Sequence, residues 1–174
     1  MESGQGKLKR TNNMSAYQAR QWNSRSYFKE TYVMLSDVAK ECHEYFMSQM
    51  THVFGDTIEL VETKGSYDWH GYFLIRYWYK PVRLYVTIEA QSWYYTVRLD
   101  QEDGCFVHLN QIQNYPTRMT NNNIAKTIEI IKNRIDKPMT FYKSTGNGLY
   151  RKEGDKFIKL SRDDIKAELR RIGL

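Results

Sequence analysis

The chain has 174 residues, of which 41% are hydrophobic and 26% are charged. This length and composition are typical of one folded domain with an appendage, and they exclude an intrinsically disordered chain. No apolar stretch reaches the roughly 18 residues that a membrane span needs, and the N-terminal segment lacks the apolar region of a signal peptide. The sequence therefore predicts a cytoplasmic protein without a membrane partner.

The formal net charge of +6 is distributed unevenly along the chain. Residues 1–26 hold five Lys or Arg and one Glu, and residues 143–174 hold nine basic and five acidic side chains. The middle of the chain therefore has a net charge of −2. The basic ends are candidates for contacts with a phosphate backbone, although a solvated basic tail is an alternative. The candidate side chains are Lys7, Lys9, Arg10, Arg20, Arg25, Arg151, Lys152, Lys156 and Lys159.

Residues 1–20 are polar and basic without periodicity, which predicts a flexible tail. Met14 is an alternative start of the chain, in which case the preceding residues are a leader. From Ser26, a candidate N-cap, to Val53, apolar residues recur at steps of three and four, which predicts a long amphipathic helix that ends at Gly55. The predicted buried stripe is Phe28, Tyr32, Leu35, Val38, Ala39, Cys42, Tyr45, Phe46, Met50 and Val53.

Five segments that alternate with a period of two follow the helix, and this alternation predicts antiparallel strands. A second helix is predicted after them, with Thr120 or a following asparagine as its N-cap and Pro138 beyond its end. Its buried stripe is Ile124, Ile128, Ile131 and Ile135. The predicted strands are Thr57–Thr63, Trp69–Tyr79, Val82–Ala90, Trp93–Leu99 and Cys105–Leu109.

The C-terminal part reads as a short strand at Met139–Lys143, a flexible joint at residues 146–148, a hairpin that turns at residues 153–155, and a helix capped by Ser161. The apolar stripe of this last helix is too short to be stable alone, so the unit is expected to dock. The predicted domains are a basic flexible tail (1–20), a core domain (21–144) and a hairpin-helix appendage (145–174).

These elements together predict an α+β fold. In it, an antiparallel five-stranded meander is covered on one face by the long N-terminal helix and the second helix. A small C-terminal β-hairpin plus helix completes the chain.

Residues 72–100 hold nine aromatic side chains, and the strand register decides which of them face the core. Tight turns near residues 80–81 and 91–92 bring the apolar faces of three strands together, and four-residue loops with the same register are equally possible. Phe73, Tyr77, Tyr79, Trp93 and Tyr95 are then predicted in the core. The predicted partners are Tyr77 with Leu84 and Val86 with Val97.

The same register predicts a row of rings and cations on the face turned away from the helices. Its expected neighbours are Trp78 beside Arg83 and Asp100, and Arg76 beside Tyr85 and Arg98. Such a face suits nucleobase stacking and phosphate contacts, cross-strand pairing of rings with arginines, or a protein interface. A further possibility is that the C-terminal unit folds back over this face. The candidate binding residues are Tyr72, Arg76, Trp78, Lys80, Arg83, Tyr85, Tyr94 and Arg98.

Catalytic signals in the sequence are weak. The four histidines have no metal-ligand spacing, and Cys42 and Cys105, which lie in apolar periodic segments, form neither a zinc pattern nor a disulfide framework. We therefore expect buried thiols and no cofactor or metal. Glu62 and Lys64, with Asp56 or Glu59 upstream, match half of a metal-dependent nuclease motif, but such triplets are common.

The sequence therefore predicts a non-catalytic protein that binds a nucleic acid or nucleoprotein complex through the basic termini and the aromatic and arginine sheet face. The first alternative is an inhibitor or accessory factor directed at a host protein, such as a defence complex, and the second is a metal-dependent nuclease. The abundance of Tyr, Asn, Lys and Ile is common in AT-rich genomes and favours an origin in a phage or another mobile element.

Overall fold

The computed structural model describes residues 16–67, 70–112 and 115–171, and only the backbone of residues 16–34, Leu169 and Arg171. This part of the chain forms three α-helices and an antiparallel sheet, which confirms the α+β class. The helices are α1 (Ala16–Phe54), α2 (Asn121–Arg134) and α3 (Arg162–Arg171). The strands are β1 (Ile58–Ser66), β2 (Tyr72–Tyr79), β3 (Leu84–Gln91), β4 (Tyr94–Asp100), β5 (Phe106–His108), β6 (Tyr142–Thr145), β7 (Gly148–Glu153) and β8 (Lys156–Lys159).

Helix α1 begins at Ala16, so the predicted start at Ser26 is wrong. The ten residues before Ser26 contain Ala, Gln and Arg, which favour helix, and neither Gly nor Pro. Backbone propensity therefore extends the helix beyond its apolar stripe. Its predicted end is confirmed, because the helix stops at Phe54 and Gly55 has a φ of +51°.

All eight strands join one sheet in chain order, from β1 at one edge to β8 at the other. The predicted five-stranded meander is thus the larger part of a wider sheet. Residues 146–148, predicted as a flexible joint, lie at the turn between β6 and β7, where Thr145 pairs with Gly148. Phe106 of β5 pairs with Tyr142 of β6, so the C-terminal hairpin extends the sheet sideways.

The predicted strand partners are displaced by two residues. Leu84 lies opposite Tyr79 rather than Tyr77, because residues 80–83 form a four-residue turn. Val97 lies opposite Ile88 rather than Val86, because the next turn is at residues 92–93. Val82, predicted as a core strand residue, is 41% exposed in the first turn.

The faces of the strands are nevertheless as predicted, because a shift of two residues keeps every side chain on its side of the sheet. The two displacements also cancel between β2 and β4. Trp78 still shares a row with Asp100, and Arg76 with Arg98, while β3 alone is shifted between them.

The core lies between the sheet and the helices α1 and α2. Phe73, Tyr77, Tyr79 and Tyr95 are buried as predicted, and Trp93 is partly buried against them. The α1 stripe from Leu35 onward is buried or partly buried, and the four stripe isoleucines of α2 are buried; Phe28 and Tyr32 lie outside the described side chains. The two cysteines are free and buried, as expected.

Two polar groups enter this core with their hydrogen bonds satisfied. Thr127 of α2 meets the Tyr95 hydroxyl at 2.8 Å. His43 of α1 stacks on Phe73 with ring centroids 4.9 Å apart, and its two ring nitrogens contact the hydroxyls of Tyr67 and Thr63 at 2.5 and 2.7 Å. Burial lowers the pKa of His43, which favours the neutral imidazole.

The C-terminal helix is fixed by its cap and by an ion pair. Ser161 and Asp164 form reciprocal hydrogen bonds, Ser161 N to Asp164 Oδ2 at 2.9 Å and Asp164 N to Ser161 Oγ at 3.1 Å, which confirms the predicted N-cap. Glu168 of α3 lies 3.6 Å from Arg151 of β7. This ion pair joins the helix to its own hairpin.

Candidate functional site

The outer face of the sheet, turned away from α1 and α2, carries side chains in rows that run across the strands. One row contains Arg76, Thr87, Arg98 and His108, and the adjacent row contains Trp78, Tyr85, Asp100, Phe106 and Tyr142. The two guanidinium groups therefore lie in one row and the Trp, Tyr and Phe rings in the adjacent row.

A pocket of about 500 Å³ opens on this face. Its walls come from strands β2 to β6 and from the turn between β4 and β5, so the C-terminal unit contributes one wall without filling it. The lining residues are Arg76, Tyr85, Arg98, Asp100, Gln101, Glu102, Gly104, Phe106 and Ser144.

Arg76 forms one side of this pocket and is held by a ring. Its guanidinium carbon lies 4.0 Å from the centroid of the Tyr85 ring, a cation–π contact, and Trp78 packs on Tyr85 with centroids 4.7 Å apart. The Nε of Arg76 is buried, and it has no hydrogen-bond partner among the described residues. A buried donor in this state is costly in a folded protein, since it has lost water without gaining an acceptor.

Arg98 forms the opposite side and is held by a carboxylate. Its Nε lies 2.6 Å from Asp100 Oδ1, and the Thr87 hydroxyl donates to Asp100 Oδ2 at 2.7 Å. Asp100 is only 6% exposed, whereas the Arg98 side chain is 44% exposed. The chain Thr87–Asp100–Arg98 therefore fixes the direction of a solvent-accessible guanidinium.

Phe106 and His108 continue the site onto β5. The Arg98 guanidinium lies 5.7 Å from the Phe106 ring centroid, and His108 contacts the same ring edge-on with centroids 5.6 Å apart. Burial and then the positive charge of Arg98 lower the pKa of His108. The imidazole therefore favours its neutral form beside the guanidinium.

Two of the candidate cations do not join this group. Lys80 and Arg83 lie in the four-residue turn, where Arg83 has a φ of +55°. Lys80 donates to the carbonyl of Asp56 at 3.1 Å, and Arg83 pairs with Glu102 at 3.0 Å in an exposed ion pair. The prediction that Arg83 lies beside Trp78 is wrong, since the longer turn puts Tyr85 there.

Tyr72 and Tyr94 lie at the other end of the outer face. Tyr94 pairs with Gln91 and is 58% exposed, and Tyr72 is half-buried on β2. The face therefore offers an accessible ring at one end and the arginine pocket at the other.

The basic termini are only partly described. Lys7, Lys9 and Arg10 lie outside the described residues, and of Arg20 and Arg25 only the helical backbone is described. In the C-terminal hairpin, Arg151 pairs with Glu153 at 2.6 Å, and Lys152 pairs with Asp103 at 2.6 Å. Lys156 and Lys159 are exposed on the edge strand β8. Binding at the termini stays a prediction.

The carboxylates of the nuclease hypothesis lie on β1. A bulge between Leu60 and Glu62 puts both Glu59 and Glu62 on the outer face, and Glu62 forms an ion pair with Lys64. A hydrogen bond from Lys64 lowers the pKa of Glu62, and the charge of Arg76 acts in the same direction. Among the described residues, no group of three His, Cys, Asp or Glu side chains is arranged to hold a metal ion.

Several residues of the site were not among the predicted site residues, including Asp100 and Phe106 in the pocket lining and Thr87, which supports Asp100. Asp100, Phe106 and Thr87 have ordinary strand positions in the sequence, and only the register puts the first two in the row of Tyr85. The available signal was the register, which predicted Asp100 beside Trp78, and the alternation, which put Phe106 on the same strand face as His108. The contact between β5 and the rest of the face depends on a three-residue strand that the alternation defines poorly.

No protein-family model matches the chain, and no curated protein or solved structure is significantly similar to it. None of the helices in the described part of the chain has the length and apolarity needed to cross a membrane. A function for this chain is therefore argued from the geometry of the outer face.

Proposed function

We propose that the protein binds single-stranded nucleic acid on the outer face of the sheet, with the Arg76 guanidinium as a phosphate contact. The observation that carries this proposal is the unpartnered, buried Nε of Arg76 at the wall of an open pocket. A phosphate oxygen is an acceptor of the right charge for this group, and arginine binds phosphate with several parallel hydrogen bonds.

The rings around Arg76 favour single strands over duplexes. Exposed bases of a single strand stack on aromatic side chains and guanidinium planes, at about 1–3 kcal/mol per base, whereas the bases of a duplex already stack on each other. Tyr94 and Phe106 are ring surfaces at either end of the face, and Arg98 is an accessible guanidinium plane between them.

The charge distribution supports a division of roles. Residues 27–142 carry a net −2, so this region does not attract a polyanion over long distances, while the two basic ends supply that attraction. The sheet face then makes the short-range contacts. Binding is expected to weaken with salt, since phosphate contacts displace counterions.

The test is a titration of a fluorescently labelled 12-nucleotide single strand, as DNA and as RNA, and of the matching duplex. We expect Arg76→Gln to weaken single-strand binding about tenfold, because one charge-assisted contact of roughly 1.5 kcal/mol is lost. Arg83→Gln is the matched control, since it removes the same charge from the neighbouring exposed turn, and it should change affinity by less than about threefold.

Thermal melts of both variants verify that they fold, and Arg76→Lys, which keeps the charge and loses the planar fork, should fall between wild type and Arg76→Gln. Equal losses in Arg76→Gln and Arg83→Gln would locate binding elsewhere. If wild type does not bind a single strand even at low salt, the proposed function is wrong.

A protein partner is a second candidate, and it has its own observation. The edge strand β8 exposes Phe157 and Ile158, at 42% and 41%, between two lysines. An open strand edge with apolar side chains suits strand addition by another chain. On this second hypothesis the inhibitor acts on a host complex, and oligonucleotides do not bind even at low salt.

A further inference from the structure

Arg98 differs from Arg76 in how its guanidinium is held. The carboxylate of Asp100 forms an ion pair with Nε, and the Thr87 hydroxyl donates a hydrogen bond to that carboxylate. No hydrogen bond from the two terminal nitrogens of Arg98 to another described residue is present, and the residue lines the pocket. These nitrogens therefore form a pre-oriented pair of donors for a ligand with two adjacent acceptors.

The charges around Arg98 disfavour phosphate as that ligand. Asp100 and Glu102 line the same pocket as Arg76 and Arg98, so the formal charges of the lining balance. A phosphate next to Arg98 would approach the Asp100 carboxylate, which is already buried beside the guanidinium. A neutral ligand with two acceptors avoids this repulsion.

The shape of the pocket suits a planar ligand. Phe106 offers a half-buried ring beside Arg98, and a volume of about 500 Å³ is large enough for a nucleobase with its sugar. Among the purines, guanine alone presents two adjacent acceptors, O6 and N7, on one edge, and arginine pairs with them bidentately. Adenine has an amino donor in place of O6, and the pyrimidines lack N7.

We propose that the pocket lined by Arg98 and Phe106 is a guanine-selective subsite, in which the terminal nitrogens of Arg98 donate to O6 and N7. This inference rests on the proposed function and names the base that the single strand inserts. Asp100 is then a positioning residue, because it orients Arg98 without contacting the base.

The experiment uses nine-nucleotide oligothymidines with one central substitution, so that a single purine is compared in a constant strand. The substituents are guanine, inosine, adenine and 7-deazaguanine. We expect wild type to bind the guanine and inosine strands at least fivefold more tightly than the adenine and 7-deazaguanine strands, since only the first two have both O6 and N7. These probes need no protein variant, so misfolding does not affect the result.

Arg98→Lys keeps the charge and removes the fork, so it should bind all four strands alike. Competition with GMP, AMP and ribose 5′-phosphate separates base from phosphate recognition, and GMP should compete best. Three results would overturn the subsite. They are equal binding of the four strands by wild type, weak binding of the inosine strand, and competition by ribose 5′-phosphate that equals competition by GMP. If wild type binds none of the strands, the proposed function itself is wrong.

Discussion

At Gly71 the backbone before strand β2 lies closer to helix α1 than a side chain allows. Its φ is +57°, and a Cβ at this position would lie 2.8 Å from the Cβ of Ala39 and 3.2 Å from Leu35 Cγ. The small side chain of Ala39 and the missing one of Gly71 thus set the distance between α1 and the sheet.

We expect Gly71→Ala to lower the free energy of unfolding by about 2–4 kcal/mol. About 1 kcal/mol arises from the left-handed backbone, and about 1–3 kcal/mol from overpacking against Ala39. Gly154→Ala is the matched control: its φ is +60°, and its added Cβ meets nothing within 4 Å. Urea unfolding measures both variants, and equal losses would mean that the contact with α1 is unimportant.

Single residues also show why the site was only partly predictable. The period-two positions of Phe73, Tyr77 and Tyr95 relative to the paired strands were sufficient to assign these rings to the core, because parity does not depend on turn length. The neighbour of Arg76 on the next strand, in contrast, depends on the length of the turn. One extra pair of residues in the first turn moved Tyr85 beside Trp78 and moved Arg83 off the face.

At the scale of elements, the C-terminal hairpin is joined to the main sheet by a cluster around Asp103. Lys152 of β7 contacts Asp103 Oδ2 at 2.6 Å and Gln101 Oε1 at 2.8 Å, and Lys143 of β6 donates to the Asp103 carbonyl at 3.0 Å. Beyond these contacts, β5 and β6 share one pair of residues, Phe106 and Tyr142. Side-chain contacts therefore supplement a short strand pairing.

The hydrogen bond from Lys152 lowers the pKa of Asp103 from 3.8 to about 2. A depressed carboxylate pKa contributes stability that is present above pH 3.8 and is lost as the pH falls toward 2. We expect Asp103→Asn to lower the melting temperature at pH 6, and this difference from wild type to shrink as the pH approaches 2. Asp37→Asn, an exposed aspartate on α1, should show no such convergence; a constant difference for Asp103→Asn would contradict the ion pair.

The elements themselves were predictable where their signal is local. Thr120 caps α2 and Ser161 caps α3 as their side chains suggest, and the stripe of α2 and the part of the α1 stripe from Leu35 onward are in the core. The start of α1 was not predictable, because residues 16–25 continue the helix without an apolar pattern. The union of all eight strands depends on the single pairing between β5 and β6, for which the sequence carries no periodic signal.

At the scale of the whole molecule, the fold separates a packed face from an open one. The helices α1 and α2 cover the inner face, and the C-terminal strands widen the sheet without covering Tyr94 or filling the arginine pocket. We propose that the molecule approaches a polyanion through its basic ends and contacts it through the open face. This division is the central claim of the proposed function.

Photocrosslinking tests that claim most directly, because it records where a single strand lies on the intact protein. Single strands that carry 5-iodouracil are crosslinked to wild-type protein and to Arg76→Gln at low salt, and the attached peptides are identified by mass spectrometry. We predict crosslinks to outer-face rings such as Trp78, Tyr94 and Phe106, reduced in Arg76→Gln. Crosslinks confined to residues 1–26 or 143–174, with the same yield in both proteins, would contradict binding on the sheet.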